Sequence, residues 1–286
     1  MARVCCAAGL VMLVSLGVCR PLSAADPVAS PLEAAKSTVL QPLTQQEFNT
    51  RKRALYKHLL DQTKTRIELP DIAGGERPEG IGIGAYQKVN DLKDRKQKRE
   101  LAYAIVKLHI TTADMLFREA EKAKGVPGKE EQYEKDRLKA ITLAMAASMG
   151  GKTHLDDPFM HSEIAELYLW PNVDAAHTVH YRHTSRAMVL KELVSAFGQA
   201  NKPEHLLVAA SRWKEGSEAR RDVNTADAAR FRMAQALESL ERYEEAIAVL
   251  SEISDTTGMR GAKKHIPTLQ KLLITQSEAR KDDVTN

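Results

Sequence analysis

The amino-acid sequence predicts an all-α protein of stacked antiparallel helical hairpins, arranged either as an α-solenoid or as an irregular helical bundle. Apolar residues recur at helical spacing through most of the chain from residue 86 onward. Short segments that contain Gly or Pro separate these periodic stretches. No segment shows the sustained apolar and polar alternation, bounded by hairpin turns, that is typical of β-strands.

The first 25 residues resemble an export signal. Arg3 supplies a positive start, and the uncharged apolar run Val4–Val18 that follows is too short to span a bilayer comfortably. Small residues at Ser23-Ala24-Ala25 suit cleavage, so we expect the mature chain to begin at Asp26. The chain is therefore expected to be exported to the bacterial periplasm or cell envelope, with a soluble protein favoured over a lipoprotein.

Two alternatives would keep the chain at a membrane. The signal could be retained as an anchor, or Cys19 could carry a lipid, because Leu16-Gly17-Val18-Cys19 is similar to a lipobox. Membrane contact is expected only in these two cases. All three cysteines lie within the signal segment, so the mature chain has no disulfide and its stability must come from packing.

The charge balance argues against a dedicated nucleic-acid binder. The signal holds two of the 42 basic residues and none of the 38 acidic ones, so its cleavage leaves a net charge of about +2. The locally basic run from Lys93 to Arg99 is interpreted as the solvated start of a helix rather than as a phosphate-binding arm.

Five segments are predicted along the chain. Residues 1–25 form the signal, 26–44 a flexible linker, 45–85 an N-terminal helix with a Gly- and Pro-rich loop, 86–280 a helical-repeat domain, and 281–286 a disordered tail. Within the domain, two long helices over 94–124 and 130–149 are expected to form an antiparallel hairpin. Asp157 is predicted to cap a helix that reaches Leu169, and Thr225 to cap a later one.

The segment Ala228–Ile253 contains two short amphipathic helices joined by a tight corner. The small side chains Ala234 and Ala246 would let the two helices touch. Large apolar or aromatic residues complete the pattern at Leu237, Tyr243 and Leu250. This pattern resembles a tetratricopeptide repeat, with the clearest unit over 227–260.

The resemblance implies a stack of helical hairpins that binds another polypeptide in a concave groove, and it implies no catalytic residues. The match departs from the family at Arg230, where the family prefers Trp, and at Gly258, where it closes on Pro. Ser185–Gly216 has the same helix–turn–helix layout but is offset by about 40 residues rather than 34.

Four aromatic residues are candidates for such a groove, because aromatic residues are enriched at binding hot spots. They are Tyr168, Trp170, Tyr181 and Trp213. The alternative is simple core packing, since the predicted helices need large side chains.

A cluster of histidines supports a second hypothesis, a metal-binding protein or metal-dependent enzyme. His177 and His180 are three residues apart and would share one helix face, and His161 could add a third ligand. The chain has no H-E-x-x-H spacing, which favours the alternative that these histidines are surface or interface side chains.

The segment AASMGGKT, Ala146–Thr153, matches a relaxed phosphate-loop pattern. A helix rather than a strand precedes it, which is the wrong context, so no nucleotide is expected and Gly150-Gly151 is predicted to end the helix in a turn. No G-x-S-x-G motif is present, and no cofactor is expected.

These observations favour an exported, non-enzymatic scaffold, adaptor or assembly factor that binds another envelope or secreted protein or peptide. The metal hypothesis remains one alternative. A cell-wall glycan-binding module is the other, although no residue signature supports it.

Overall fold

A computed structural model describes residues 41–62, 86–175 and 186–285. The regular structure of these residues is entirely helical, which confirms the all-α fold class. They contain ten α-helices in this order: α1 (Gln45–Gln62), α2 (Gln87–Asp91), α3 (Arg95–Ala123), α4 (Glu130–Gly150), α5 (Pro158–Ile164), α6 (Arg186–Gln199), α7 (Pro203–Ala219), α8 (Val223–Ser239), α9 (Tyr243–Ser251) and α10 (Ile266–Thr285). The signal, most of the linker and the Gly- and Pro-rich loop lie outside the described residues.

Helices α3 and α4 pack together along their lengths, as the hairpin prediction requires. Asp94 caps α3 by accepting a hydrogen bond from the Gln97 amide at 2.8 Å, and Arg95 and Lys96 of its first turn are exposed. The connection contains Gly125 and Gly128 with φ of 70° and 80°, a left-handed conformation that favours glycine. Three small residues of α4 are fully buried: Ala140, Ala144 and Ala147.

The prediction that Gly150-Gly151 forms a turn is wrong. Helix α4 continues through Gly150 into a π-helical turn, Gly151–Leu155, and the chain leaves this turn at Asp156, whose φ is 49°. A Cβ on Gly150 would overlap the phenol ring of Tyr86. The glycine therefore serves a close approach of another segment, not a change of chain direction.

Asp157 caps α5 as predicted, with its carboxylate accepting from the Met160 amide at 3.0 Å. The helix does not keep α-helical geometry to Leu169. It changes at Ala165 to a π-helical turn, Ala165–Leu169, and then to a 3₁₀ turn, Trp170–Asn172, where Pro171 cannot donate the next helical hydrogen bond.

Helices α6 to α10 follow one another as a series in which each helix packs on the next. The first three corners are alike. Asn201, Arg221 and Glu241 have φ of 51°, 59° and 56°, and they are evenly spaced, twenty residues apart. The amide of the next residue bonds back to the carbonyl five positions earlier, at 2.9 to 3.0 Å. This is the Schellman arrangement that ends a helix.

The same corner geometry corrects the predicted cap at Thr225. Helix α8 begins at Val223, and the Asp222 carboxylate accepts from the Thr225 amide at 3.1 Å. Because Arg221 adopts the left-handed conformation, Asp222 is the residue that reaches the first free amides. At the other end of the chain, α10 extends to Thr285, past the domain boundary predicted at residue 280.

The buried apolar side chains form one cluster that extends from Leu55 on α1 to Leu269 on α10. The repeat-like residues Ala234, Leu237, Ala246 and Leu250 belong to it, and Tyr243 packs against its edge. Helices α8 and α9 pack on each other, and the small side chains that the pattern places between them are buried. None of the described helices is both long enough and apolar enough to cross a membrane.

Candidate functional site

The candidate site is a groove between α6 and α8, bounded on one side by the end of α4 and on the other by α7. It consists of two adjoining hollows of about 380 and 500 Å³. Both hollows share the lining residues Lys152, Val194, Ser195 and Arg232. We call this surface the α6–α8 groove.

Lys152 joins the two hollows. It lies on the π-helical turn that extends α4, and its Nζ donates to Ser195 Oγ on α6 at 2.7 Å. The continuation of the helix past Gly150 positions this lysine. A turn at the glycines, as predicted, would have ended the helix before Lys152.

Three methionines and one tryptophan supply most of the apolar lining of the smaller hollow. They are Met145 and Met149 from α4, Met188 from α6 and Trp213 from α7. Methionine is unbranched and polarisable, so such a surface adapts to different apolar groups. Its polar lining residues are Lys152, Lys191, Glu192, Ser195 and Arg232.

The larger hollow is more polar and includes the corner between α6 and α7. Its further lining residues include Gln199, Asn201, Lys202, Gln235 and Ser239. Polar groups from three chain segments, α6, the corner and α8, therefore face the same space. An extended backbone placed there would meet both donors and acceptors.

The groove carries excess positive charge. Lys152, Lys191 and Arg232 are exposed, and no carboxylate of the described residues lies within 4 Å of their nitrogen atoms. Arg232 instead donates to the Gln235 side-chain oxygen at 2.9 Å. Lys202 differs, because its ammonium group pairs with Glu166 behind the groove.

The described groove lining contains one carboxylate, that of Glu192. Its Oε1 is already hydrogen-bonded within the protein. Its Oε1 lies 2.8 Å from His161 Nε2 and accepts from Ser148 Oγ at 3.1 Å. His161 is fully buried, and its Nδ1 lies 2.9 Å from the Gln199 side-chain oxygen. An imidazolium would donate to both oxygens, whereas a neutral ring would require the Gln199 amide to be turned. The pair forms part of the groove wall.

Of the three predicted metal ligands, the part of the chain that the structure describes contains His161. His161 contacts Glu192 and Gln199 in the interior, whereas His177 and His180 lie outside the described residues. Within residues 41–62, 86–175 and 186–285, no group of three or more His, Cys, Asp or Glu side chains is arranged to hold a metal ion.

The three predicted groove aromatics that the structure describes lie in different places. Tyr168 is in the core, stacked on Phe117 and edge-on to Phe48. Trp213 lines the α6–α8 groove from a largely buried position. Trp170 lines a separate cavity of about 660 Å³, under the guanidinium of Arg212. Tyr181 lies outside the described residues.

Glu166 forms a charged cluster between that separate cavity and the groove. It accepts from Arg51 of α1 and from Lys202, and its Oε1 lies 3.1 Å from His205 Nε2. Burial by itself would raise the pKa of Glu166, but the hydrogen bonds from His205, Arg51 and Lys202 more than offset it and hold that pKa well below its usual range. The cluster fastens α1 to the helical stack.

Sequence patterns single out Trp213 but not the cations of the groove. Lys152 falls within a phosphate-loop pattern of the wrong context, and Lys191 and Arg232 belong to no motif. The usable signal is the alternation of hairpin helices, which places α6 and α8 on one side of a stack. Comparison of the chain with protein-family models, with curated proteins and with solved structures finds no match in any of the three.

Proposed function

We propose that this chain is an exported, non-enzymatic scaffold, adaptor or assembly factor of the cell envelope, and that it clasps a polypeptide segment in the α6–α8 groove. The observation that carries the proposal is the groove itself. An adaptable apolar hollow and a polar hollow adjoin there, with Lys152 between them. Polypeptide segments offer the same mixture of apolar side chains and backbone polar groups.

Two features of the sequence support the wider proposal. The first 25 residues support export, and the 227–260 unit supports a tetratricopeptide-like hairpin. In a stack of hairpins, the first helix of each pair lies beside the first helix of the next. Helix α8 is the first helix of that unit and α6 is the first helix of the preceding pair, so the groove between them is the expected site for a bound segment.

Site-specific photo-crosslinking in the envelope of the native host tests this proposal. A photoreactive residue replaces Ser239, which is exposed and lines the groove, and in a matched variant it replaces Ser277, which is exposed on α10. Both serine hydroxyls bond only to a carbonyl of their own helix among the described residues, so neither replacement removes a contact between helices.

The proposal expects an adduct at position 239 that a protease degrades, and no comparable adduct at position 277. A protease-resistant adduct at position 239 would indicate a lipid or glycan ligand and would contradict the proposal. Equal labelling at both positions would indicate random encounters and would also contradict it.

A further inference from the structure

The α6–α8 groove contains two features that a single ligand must satisfy together. We infer that it selects acidic polypeptide segments in which carboxylates stand next to a large unbranched or aromatic apolar side chain. The inference rests on the proposed function, because it names the chemistry of the segment that the groove would clasp.

The charge of the groove indicates an anionic ligand. Lys152 and Arg232 line both hollows, and Lys191 lines the methionine-rich one. The described residues place no carboxylate within salt-bridge distance of these three cations. Complementary charge raises the rate of encounter and disfavours partners of the wrong sign.

The one acidic side chain in the described lining leaves the groove with a net positive charge, because three exposed cations outnumber one buried carboxylate. Glu192 is buried, and its Oε1 is held by His161 and Ser148. A basic segment would therefore meet three exposed ammonium or guanidinium groups and no free carboxylate of the described lining. Basic partners are expected to be rejected by charge repulsion.

The apolar hollow argues against a ligand that is recognised by its charge alone. Met145, Met149 and Met188 line it together with Trp213, and its volume of about 380 Å³ lies within the range of small-ligand pockets. A phosphate group or a nucleic-acid backbone would leave this apolar surface in contact with water. An apolar side chain would fill it, while neighbouring carboxylates reach Lys191 and Arg232 at its edge.

Three fluorescent peptides of about ten residues, roughly 33 Å long when extended, test the inference with the full chain. The first combines Asp and Glu with Met or Phe, the second replaces its acids by Lys, and the third replaces its apolar residues by Ser. Binding is measured by fluorescence anisotropy at low and at physiological salt, with oligodeoxythymidylate as a fourth probe. The first peptide is expected to bind at least tenfold more tightly than the other probes, and added salt is expected to weaken its binding.

Two pairs of variants locate the effect. Arg232→Glu is expected to weaken the acidic peptide about tenfold, whereas Arg260→Glu, a reversal at an exposed arginine outside the groove lining, is expected to change it less than about twofold. Met149→Gln is expected to weaken binding of the same peptide about fivefold. Met115 lies outside the groove lining and is 51% exposed, so Met115→Gln is expected to leave the binding unchanged. Thermal melting of each variant checks that it is folded.

The outcomes separate this inference from the proposed function. Equal binding of the acidic and basic peptides would overturn the inference, while a protease-sensitive adduct at position 239 would leave the proposed function standing. Tight binding of the oligonucleotide that responds to Arg232→Glu but not to Met149→Gln would also overturn it. Failure of all peptides, with no adduct at position 239, would overturn both.

Discussion

The phenol ring of Tyr86 occupies the space that a side chain at residue 150 would need. The ring is buried, stacks on His154 with a centroid distance of 5.0 Å, and meets His109 edge-on at 5.6 Å. Burial raises the pKa of Tyr86 well above its usual value. Gly150 therefore allows the segment that begins α2 to dock on the α3–α4 hairpin.

Replacement of Gly150 by Ala is expected to lower the free energy of unfolding by about 1–3 kcal/mol, because the added methyl group overpacks against a stiff buried ring. Urea unfolding of the full chain measures the change. Gly261→Ala is the matched control, since a Cβ there meets no atom within 4 Å. An equal loss of stability in the control, or no loss in Gly150→Ala, would show that the contact with Tyr86 does not restrict the side chain at residue 150.

The pairing of α8 and α9 is tested at Ala246. Replacement by Leu is expected to cost about 1–3 kcal/mol of folding stability, because residue 246 is fully buried between the helices. Ala248 lies on the same helix and is exposed, so Ala248→Leu is expected to change stability by less than about 0.5 kcal/mol. Equal melting temperatures for the two variants would refute the packing described for this hairpin.

The stability of the protein is expected to depend on pH through Glu166. Because the pKa of Glu166 is lowered in the folded state, the stabilisation by this group is complete above the ordinary glutamate pKa of 4.5 and is lost as the pH falls below that value. Glu166→Gln is expected to cost about 2 kcal/mol at neutral pH, since Arg51 and Lys202 lose a partly buried partner.

The same variant should also flatten the loss of stability below about pH 5, because the group responsible for part of that loss is gone. Chemical unfolding at a series of pH values measures both effects. Glu204→Gln serves as control, since Glu204 is exposed on the neighbouring turn of α7. If the free energy of unfolding of Glu166→Gln depended on pH as it does in the wild type, the Glu166 cluster would not be the source of the loss of stability in acid.

Asp157 combines a helix cap with contacts to two other helices. Its Oδ2 lies 2.6 Å from His58 Nε2 and accepts from the Tyr103 hydroxyl at 2.9 Å. Burial raises the pKa of Asp157, and the hydrogen bonds from Met160, His58 and Tyr103 together lower it below the usual value.

Two substitutions separate these roles. Asp157→Asn keeps a cap and is expected to cost about 1 kcal/mol through the lost charge. Asp157→Ala removes both the cap and the charge, and it is expected to lower the free energy of unfolding by about 2–3 kcal/mol. Unfolding free energies at neutral pH give the comparison. Because a lowered pKa stabilises the fold only when the acid is ionised, the gap between the wild type and Asp157→Asn should narrow as the pH falls below the ordinary aspartate pKa of 3.8. A gap that widens in acid would contradict this assignment.

The sequence predicted the helical periods well and the helix ends less well. The α3–α4 hairpin and the cap at Asp157 follow from local rules, since apolar spacing and a carboxylate before Pro158 act within one turn. The glycine at position 150 instead leaves room for Tyr86, which is more than sixty residues earlier in the chain. A contact of that kind leaves no local pattern.

The candidate site was harder to predict for the same reason. Lys152, Lys191 and Arg232 come from three different helical segments and meet only because the helices stack. Tyr168 and Trp213 are both large aromatic residues at helical positions, yet one lies in the core and the other borders the groove. Which face of a helix becomes covered is decided by its neighbours rather than by its own sequence.

The three equal corners at Asn201, Arg221 and Glu241 make the length of α7 a determinant of the groove. A helix turns by about 100° for each residue, so the loss of one residue from α7 would rotate everything after it by that angle. Arg232 would then point away from α6, although no residue of the groove had changed. Insertions and deletions in this chain are therefore compatible with the site only outside the span from α6 to α8, or as whole helical pairs added to the end of the stack.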